Sequence, residues 1–301
     1  MTLRLPASYR GSYTFTEIPV GTPKDVVALL GGRRPPFPSL SDPFSQTPKI
    51  CVRGTEQETV LALDHAPRQD EWTGVVGEHS GTLTVTHQYL AGRKRQVRLY
   101  VPDVSLALPL GLLVLPDAEI WFDHLGVAGA VDRAIGGERI APFAVLGIDN
   151  LDESDRAAIL GGRVGIVREI GEGLVPWVYH SYADRTWAGR DRTVFSGQSL
   201  GGVTALMAAI EMPEVFGVVL SHSPSMWWTP DGKRLPFMFT EDNDSWVTER
   251  VMSASLKDVR LRLTVGSLEG VTAVPYSHFR AHETGSNIVC RLPLAKTHHS
   301  A

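Results

Sequence analysis

The sequence is poor in cysteine, in excess charge of one sign and in long apolar runs. Its 301 residues include two cysteines, Cys51 and Cys290, which cannot form a disulfide framework and are typical of reduced cytosolic thiols. The formal net charge is −4, so nothing indicates a nucleic-acid surface. The most apolar stretch, from Leu106 to Leu115, is about ten residues long and is too short to span a bilayer.

The N-terminus also lacks an apolar segment of signal-peptide length. Apolar residues make up 43% of the chain and charged residues 21%, as in ordinary globular proteins. These features predict a soluble, cytoplasmic protein that binds neither nucleic acid nor a membrane. They leave its oligomeric state open.

Residues 1–80 differ in composition and hydrophobic pattern from the rest of the chain. Proline and glycine are dense here, and short strand-like runs cover Ser12–Phe15 and Thr59–Leu63. This pattern predicts a small β-rich N-terminal module with a proline-containing loop around residues 33–48.

Residues 81–301 have a regular pattern. Alternating runs at Gly81–His87 and Arg95–Val101 predict half-buried antiparallel strands. Predicted helices over Arg163–Tyr182 and Leu200–Glu211 are interspersed with five further strand-like runs: Leu112–Leu115, Phe143–Asp149, Thr193–Ser196, Val218–His222 and Leu261–Val265. Buried strands that alternate with helices predict an α/β domain, with a mostly parallel sheet and helices on both faces.

The sharpest motif is G-x-S-x-G at Gly197–Gly201, between a predicted strand and a predicted helix. Its glycines make room for a strained turn that lifts the Ser199 hydroxyl clear of the sheet, as in the nucleophile elbow of an α/β-hydrolase. The helix that starts there directs the Leu200 N–H at a developing oxyanion. The flanking strand and the small-residue helix favour catalysis over the alternative, a tight turn without chemistry.

A hydrolase of this fold orders its triad as serine, acid and histidine. After Ser199, the carboxylate at a predicted strand end is Glu269, which could hold a histidine in the required tautomer. The alternative for Glu269 is a loop carboxylate in water. Asp149 also ends a strand, but it precedes the serine, which favours a structural or substrate-facing place.

Four histidines follow Glu269 and are candidates for the base: His278, His282, His298 and His299. The first two are four residues apart in a segment predicted to be helical, a spacing typical of a surface face. A last strand is predicted over Asn287–Leu292, so the other two fall in the loop after it, where the base belongs. Of these we favour His298.

The second oxyanion donor should come from the loop after the first buried strand, and its best candidate is the Ala118 N–H. A helix N-cap at Asp117 is the alternative, and both can hold. Trp227 and Trp228 follow another strand end and could stack on flat aromatic substrates, or could pack under their loop. Arg156 could meet an anionic ligand, or could form a solvated salt bridge.

The elbow and its surroundings resemble the ferric enterobactin (enterochelin) esterases. The resemblance is carried by Ser196–Gly202, Met212–Gly217 and Ser221–Trp228, and also by Leu115–Trp121, by Ile148–Asp149 with Arg156, and by the strand pair from His87 to Tyr100. Tyr9–Tyr13 and Asp42–Pro43 resemble the later half of that family's N-terminal β-domain. The resemblance extends to about residue 283.

The resemblance implies an intracellular serine esterase that cuts the trilactone backbone of a catecholate siderophore and so lets iron be released. It implies that Ser199 is the nucleophile and Glu269 the acid. Asp117, Arg156 and the two tryptophans would contact the substrate. The protein itself would need no metal or cofactor, because the iron arrives with the substrate.

The sequence departs from that family in three places. Its N-terminal part is shorter, and Asp117–Ala118 stands where the family has Asp-Gly. The family's Gly-Gly-His-Asp motif and its following Trp/Arg-bearing helix are not found, since His298 is followed by His299 and the tail from Cys290 is unlike the family. Two alternatives therefore stay open: a general carboxylesterase or acyltransferase of the same fold, and a siderophore binder with impaired catalysis.

Overall fold

The computed structural model describes residues 4–22, 39–46, 49–51, 57–234, 244–254, 256, 258–266, 281–284 and 287–291. These residues form two small antiparallel sheets and one nine-stranded sheet. The strands are β1 Arg10–Tyr13, β2 Phe15–Thr16, β3 Ser39–Leu40, β4 Lys49–Cys51, β5 Gln57–Ala62, β6 Thr82–Leu90, β7 Arg93–Val101, β8 Gly111–Pro116, β9 Phe143–Ile148, β10 Thr193–Gln198, β11 Val218–His222, β12 Arg260–Gly266, β13 Ala281–Thr284 and β14 Asn287–Arg291.

The α-helices of the described residues are α1 Val127–Gly136, α2 Glu153–Ile159, α3 Val164–Glu169, α4 Val175–Ser181, α5 Leu200–Glu211 and α6 Trp246–Ser253. The helix predicted over Leu200–Glu211 is confirmed. The helix predicted from Arg163 to Tyr182 is present as α3 and α4, joined by a π-helical turn at Ile170–Leu174. Among all the described residues, no helix is long and apolar enough to cross a membrane.

The large sheet has the order β13-β14-β12-β11-β10-β8-β9-β7-β6. Its five central strands, β12, β11, β10, β8 and β9, are parallel, and the strands at either edge are antiparallel. The predicted mostly parallel sheet is therefore confirmed. Because parallel strands end at the same edge, the described loops after β8, β9, β10 and β11 lie together, where ligands bind in open α/β sheets.

Helices cover both faces of this sheet, as predicted. Successive strand residues point to opposite faces. Along β8, Leu112 and Val114 belong to a core cluster with Leu206 of α5, whereas Leu113 and Leu115 pack with Val131 of α1. Two separate apolar layers, one on each face, therefore hold the helices to the sheet.

The N-terminal part contains a three-stranded sheet, β1-β5-β4, and the pair β2-β3. The strands predicted at Ser12–Phe15 and Thr59–Leu63 are present with shifted ends, as β1 with β2 and as β5. Half of the loop predicted around residues 33–48 lies outside the described residues, and Ser39–Leu40 within it form strand β3. The division of the chain into residues 1–80 and 81–301 stays a prediction.

The helix predicted around His282 is wrong. Residues Ala281–Thr284 form strand β13, which pairs antiparallel with β14, Ala281 opposite Cys290. Two histidines four residues apart are too short a pattern to specify a helix, and pairing with the neighbouring strand decides the local conformation. His278 lies outside the described residues.

Candidate active site

Ser199 occupies a strained turn between β10 and α5. Its backbone has φ 59° and ψ −119°, a conformation that residues other than glycine rarely adopt. The turn is held by its neighbours, since the Ser199 N–H donates to the His222 carbonyl at 3.1 Å. A methyl group at Gly197 would overlap the backbone carbonyl of Gly201. Gly197 is thus required for the turn, as the sequence predicts.

The Ser199 hydroxyl is free of the helix that follows it. Ser199 stands at the N-cap of α5, yet its side chain makes no capping hydrogen bond, and the residue is half-buried. Its Oγ lies 3.0 Å from the Oγ of Ser225. Leu200, the first residue of α5, has an N–H without an intrahelical acceptor. The turn therefore offers a nucleophilic oxygen beside a helix N-terminus that favours negative charge.

Asp117 turns the chain at the end of β8, the strand next to β10. Its φ is 58°, and its carbonyl accepts hydrogen bonds from the N–H groups of Ile120 at 3.0 Å and Trp121 at 3.3 Å. A methyl group at Gly201 would lie 3.3 Å from Asp117 Oδ2, so the loop approaches the first turn of α5 closely. The loop that carries the buried Ala118 is thus beside the elbow.

The side chain of Asp117 is bound by two partners. Arg156 donates from Nε to Oδ1 at 2.6 Å and from NH2 to Oδ2 at 3.0 Å, and Asn150 Nδ2 donates to Oδ1 at 2.7 Å. Burial lowers the pKa of Arg156, which is 4% exposed, but the bonds to Asp117 outweigh it and raise that pKa above its ordinary value. Arg156 is therefore not an open cation: its main partner is the buried Asp117, although its NH1 also lies 4.0 Å from Oε1 of the exposed Glu153.

A second buried ion pair fixes the helix that bears Arg156. Arg95, with no exposed surface, donates to the two carboxylate oxygens of Asp155 at 2.7 and 3.1 Å. This hydrogen bonding holds the pKa of Asp155 below its ordinary value. The helix begins with a side-chain cap, in which Asp152 Oδ1 accepts from the Asp155 N–H at 2.8 Å. Arg95 of β7 thus positions α2 through Asp155, and Arg156 of the same helix positions Asp117 in the loop after β8.

Asp149, which directly follows β9, forms buried hydrogen bonds within the protein. It is buried and accepts from Arg98 NH2 at 2.7 Å and from Gln96 Nε2 at 3.0 Å. Burial raises its pKa, against the hydrogen bonds from Arg98 that lower it. These contacts support the structural alternative over the substrate-facing one.

The two tryptophans of the Ser223–Trp228 loop differ in exposure. Trp228 is 5% exposed, and its ring packs 5.1 Å from that of Trp246 and against Gly161 and Gly162. Trp227 is half-buried at the edge of the same cluster. Trp228 therefore packs under the loop, whereas the Trp227 side chain keeps accessible surface.

A family model named Esterase matches residues 88–289 of the chain. The iron(III) salmochelin esterase of Escherichia coli O6:H1 is 53% identical over 276 residues, which are 92% of this chain and 67% of that protein. This chain belongs to the siderophore esterase family. Among its other relatives, the iron(III) enterobactin esterase of Escherichia coli K12 is 30% identical over 77% of this chain and 59% of its own length.

A solved member of the siderophore esterase family has the same fold. The crystal structure of ferric enterobactin esterase from Salmonella typhimurium matches with a TM-score of 0.71 over 91% of this chain and 71% of that one, at 21% identity. The α/β-hydrolase fold expected from the elbow is thereby confirmed. The chain spans 67% and 59% of the length of the two curated relatives above.

The triad candidates Glu269, His298 and His299 lie outside the described residues. Glu269 follows β12, which ends at Gly266, and His298 and His299 follow β14. Their predicted roles stay predictions. Within the described residues, no group of three or more His, Cys, Asp or Glu side chains could hold a metal ion.

His222, at the end of β11, is another histidine near the elbow. Its Nδ1 lies 2.7 Å from Thr264 Oγ1 on the next strand. Its neighbour Ser221 bonds to the Gly202 carbonyl of α5, so alternation along the strand turns the His222 ring to the face away from α5. Burial lowers its pKa, and the charge of Arg262 lowers it further. His222 thus faces away from the helix that follows Ser199.

Sequence reasoning missed three contributors to the site. Ser225 lies within the tryptophan-bearing block, but nothing local distinguishes its hydroxyl from those of its neighbours. Asn150 follows a predicted strand end, a signal that could have identified it. Arg95 sits in an alternating strand, where a charged residue is expected to face solvent, and only the buried Asp155 explains its position.

Proposed function

We propose that this chain is a serine esterase that hydrolyses backbone ester bonds of iron(III) catecholate siderophores inside the cell. The observation that carries the proposal is the strained Ser199, whose uncapped hydroxyl stands between a parallel strand and a helix N-terminus. The salmochelin esterase that is 53% identical to the chain supports the substrate class. The two cysteines favour the reducing cytoplasm as the site of the reaction.

In this mechanism, Ser199 Oγ attacks the ester carbonyl carbon while His298, held by Glu269, accepts the hydroxyl proton. The N–H groups of Leu200 and Ala118 stabilise the oxyanion. The C–O bond to the leaving alkoxide then breaks, and His298 returns the proton to it. Water, activated by the same histidine, hydrolyses the acyl-enzyme and restores Ser199. The iron belongs to the substrate.

Substrate contacts come from the rim around the elbow. We assign Trp227 to stacking on a catecholate ring, because its indole keeps accessible surface. Trp228 supports this loop from below. The Asp117–Arg156 pair forms the wall that holds the Ala118 loop in place, so its contribution to substrate binding is chiefly one of shape.

The test is hydrolysis of ferric enterobactin and ferric salmochelin by the purified chain, with chromatography of the products. We expect linear trimer, dimer or monomer from the wild type and from Ser253→Ala, a matched change at an exposed serine of α6. Ser199→Ala should give none. Siderophore that quenches tryptophan fluorescence without product from wild type would instead identify a binder. Turnover of simple aryl esters alone would identify a general carboxylesterase.

A further inference from the structure

Two serine hydroxyls face each other at the elbow. Ser199 Oγ and Ser225 Oγ are 3.0 Å apart, within hydrogen-bond distance. Ser225 is 4% exposed, so bulk water does not compete freely for this contact. A second hydroxyl is thus in direct contact with the atom that attacks the substrate in the proposed function.

The backbone holds Ser225 in this position. Its N–H donates to the Ser199 carbonyl at 3.1 Å, and its own carbonyl accepts from the Trp228 N–H at 2.9 Å. The next carbonyl, that of Met226, accepts from Ser245 Oγ at 2.8 Å. Because these bonds hold Ser225 beside Ser199, the Ser225 hydroxyl needs no rearrangement to reach Ser199 Oγ.

The direction of this hydrogen bond is set by the reaction. A hydroxyl has one proton to donate and two lone pairs to accept with. In the resting protein either serine can donate to the other. Once Ser199 gives its proton to the base, its Oγ can only accept, so Ser225 must be the donor. The bond then becomes charge-assisted, and is stronger than before the transfer.

We propose that Ser225 is a further catalytic residue, which donates a hydrogen bond to Ser199 Oγ as negative charge develops there. This rests on the proposed function. In acylation, the Ser199 O–H bond breaks, the proton goes to the base and the Oγ–carbon bond forms, while Ser225 keeps its own proton. In deacylation, Ser225 stabilises the same oxygen as it leaves. The interaction is stronger in the transition state than in the ground state, so it raises kcat.

The test compares Ser225→Ala with wild type on ferric enterobactin, with Ser253→Ala as the matched control. We expect kcat to fall about 10- to 100-fold, the effect of one hydrogen bond to a charged group, with KM within about 2-fold. Inactivation by a fluorophosphonate should slow by a similar factor. Binding should be unchanged when Ser225→Ala is added to Ser199→Ala, because the hydrogen bond to Ser199 Oγ is already absent from Ser199→Ala.

A second pair of variants tests the hydroxyl at constant volume. Ser225→Thr should exceed Ser225→Val in kcat by the same factor, even if Ser225→Ala does not fold. Equal kcat in Ser225→Thr and Ser225→Val, or wild-type kcat in Ser225→Ala, would overturn the proposal. So would parallel losses in siderophore binding and kcat. Full hydrolysis by Ser199→Ala would instead reject the proposed function itself.

Discussion

Asp117 and Arg156 are joined by two parallel hydrogen bonds, from Nε to Oδ1 at 2.6 Å and from NH2 to Oδ2 at 3.0 Å. Asp117 follows β8, whereas Arg156 belongs to α2, which follows β9. The pair therefore joins the loop after β8 to helix α2 at the carboxyl edge of the sheet. It also holds Asp117 at a φ of 58°, beside Gly201 of the elbow.

The first prediction concerns this pair. Lysine keeps the charge of arginine but not its planar fork, so Arg156→Lys should loosen the loop that carries Ala118. We expect kcat for siderophore hydrolysis to fall about 100-fold with a smaller change in KM, because this loop carries Ala118, the proposed second oxyanion donor. The matched control is Arg168→Lys at an exposed ion pair with Glu211. An unchanged kcat in Arg156→Lys would contradict this role.

The second prediction concerns stability and its pH dependence. Asp155→Asn leaves the fully buried Arg95 without a counter-charge, which should lower the free energy of unfolding by about 3 kcal/mol at pH 7. The folded-state pKa of Asp155 is depressed by Arg95, so its stabilisation is complete above the ordinary aspartate pKa of about 3.9 and is lost as the pH falls through the depressed value.

Urea unfolding between pH 7 and pH 3 measures this difference. The difference in free energy of unfolding between wild type and Asp155→Asn should be constant down to about pH 4 and should become smaller below it. Asp191→Asn is the control, because Asp191 is 80% exposed and its change should stay within about 0.5 kcal/mol. A difference in free energy of unfolding that grows below pH 4 would contradict the prediction that acid removes the stabilisation by Asp155.

The third prediction concerns the glycines. Gly197→Ala should prevent the elbow from forming, because the added methyl group meets the Gly201 backbone, which cannot move without displacing α5. Loss of both hydrolysis and the cooperative thermal transition is expected. Gly165→Ala, in α3 with open space around it, should instead stabilise the protein by about 0.5–1 kcal/mol. An active, stable Gly197→Ala protein would refute the requirement.

The fourth prediction concerns the base. If His298 accepts the serine proton, His298→Ala should lower kcat by at least about 1,000-fold with little effect on siderophore binding. His299→Ala, at the adjacent position, should keep wild-type kcat. Steady-state kinetics on ferric enterobactin distinguish the two. The reverse pattern would reassign the base to His299, and full activity in both variants would remove this segment from the mechanism.

The sequence predicts what local patterns encode. The parallel strands and α5 follow from periodicity, and the elbow follows from a motif contained in five consecutive residues. The Ser199–Ser225 contact joins residues 26 positions apart, and the Asp117–Arg156 pair joins residues 39 positions apart. Such pairs are set by strand order and loop packing, which periodicity does not specify.

Two further differences have the same origin. Strand β13 was expected to be helical around His282, but the partner that determines its conformation is the neighbouring strand β14. Arg95 shows no local sign of burial, because an arginine is buried only where a partner such as Asp155 is supplied from elsewhere in the fold. Both outcomes depend on which segment lies opposite, and not on the residue itself.

Peptide mapping of the fluorophosphonate-treated protein determines whether Ser199 is the nucleophile. We expect one adduct per chain, on Ser199, with ferric enterobactin hydrolysis lost in proportion to the adduct formed. Ferric enterobactin should protect against labelling. An active protein whose hydrolysis survives complete modification of Ser199, or whose inactivating adduct maps to another residue such as Ser225, would contradict the account.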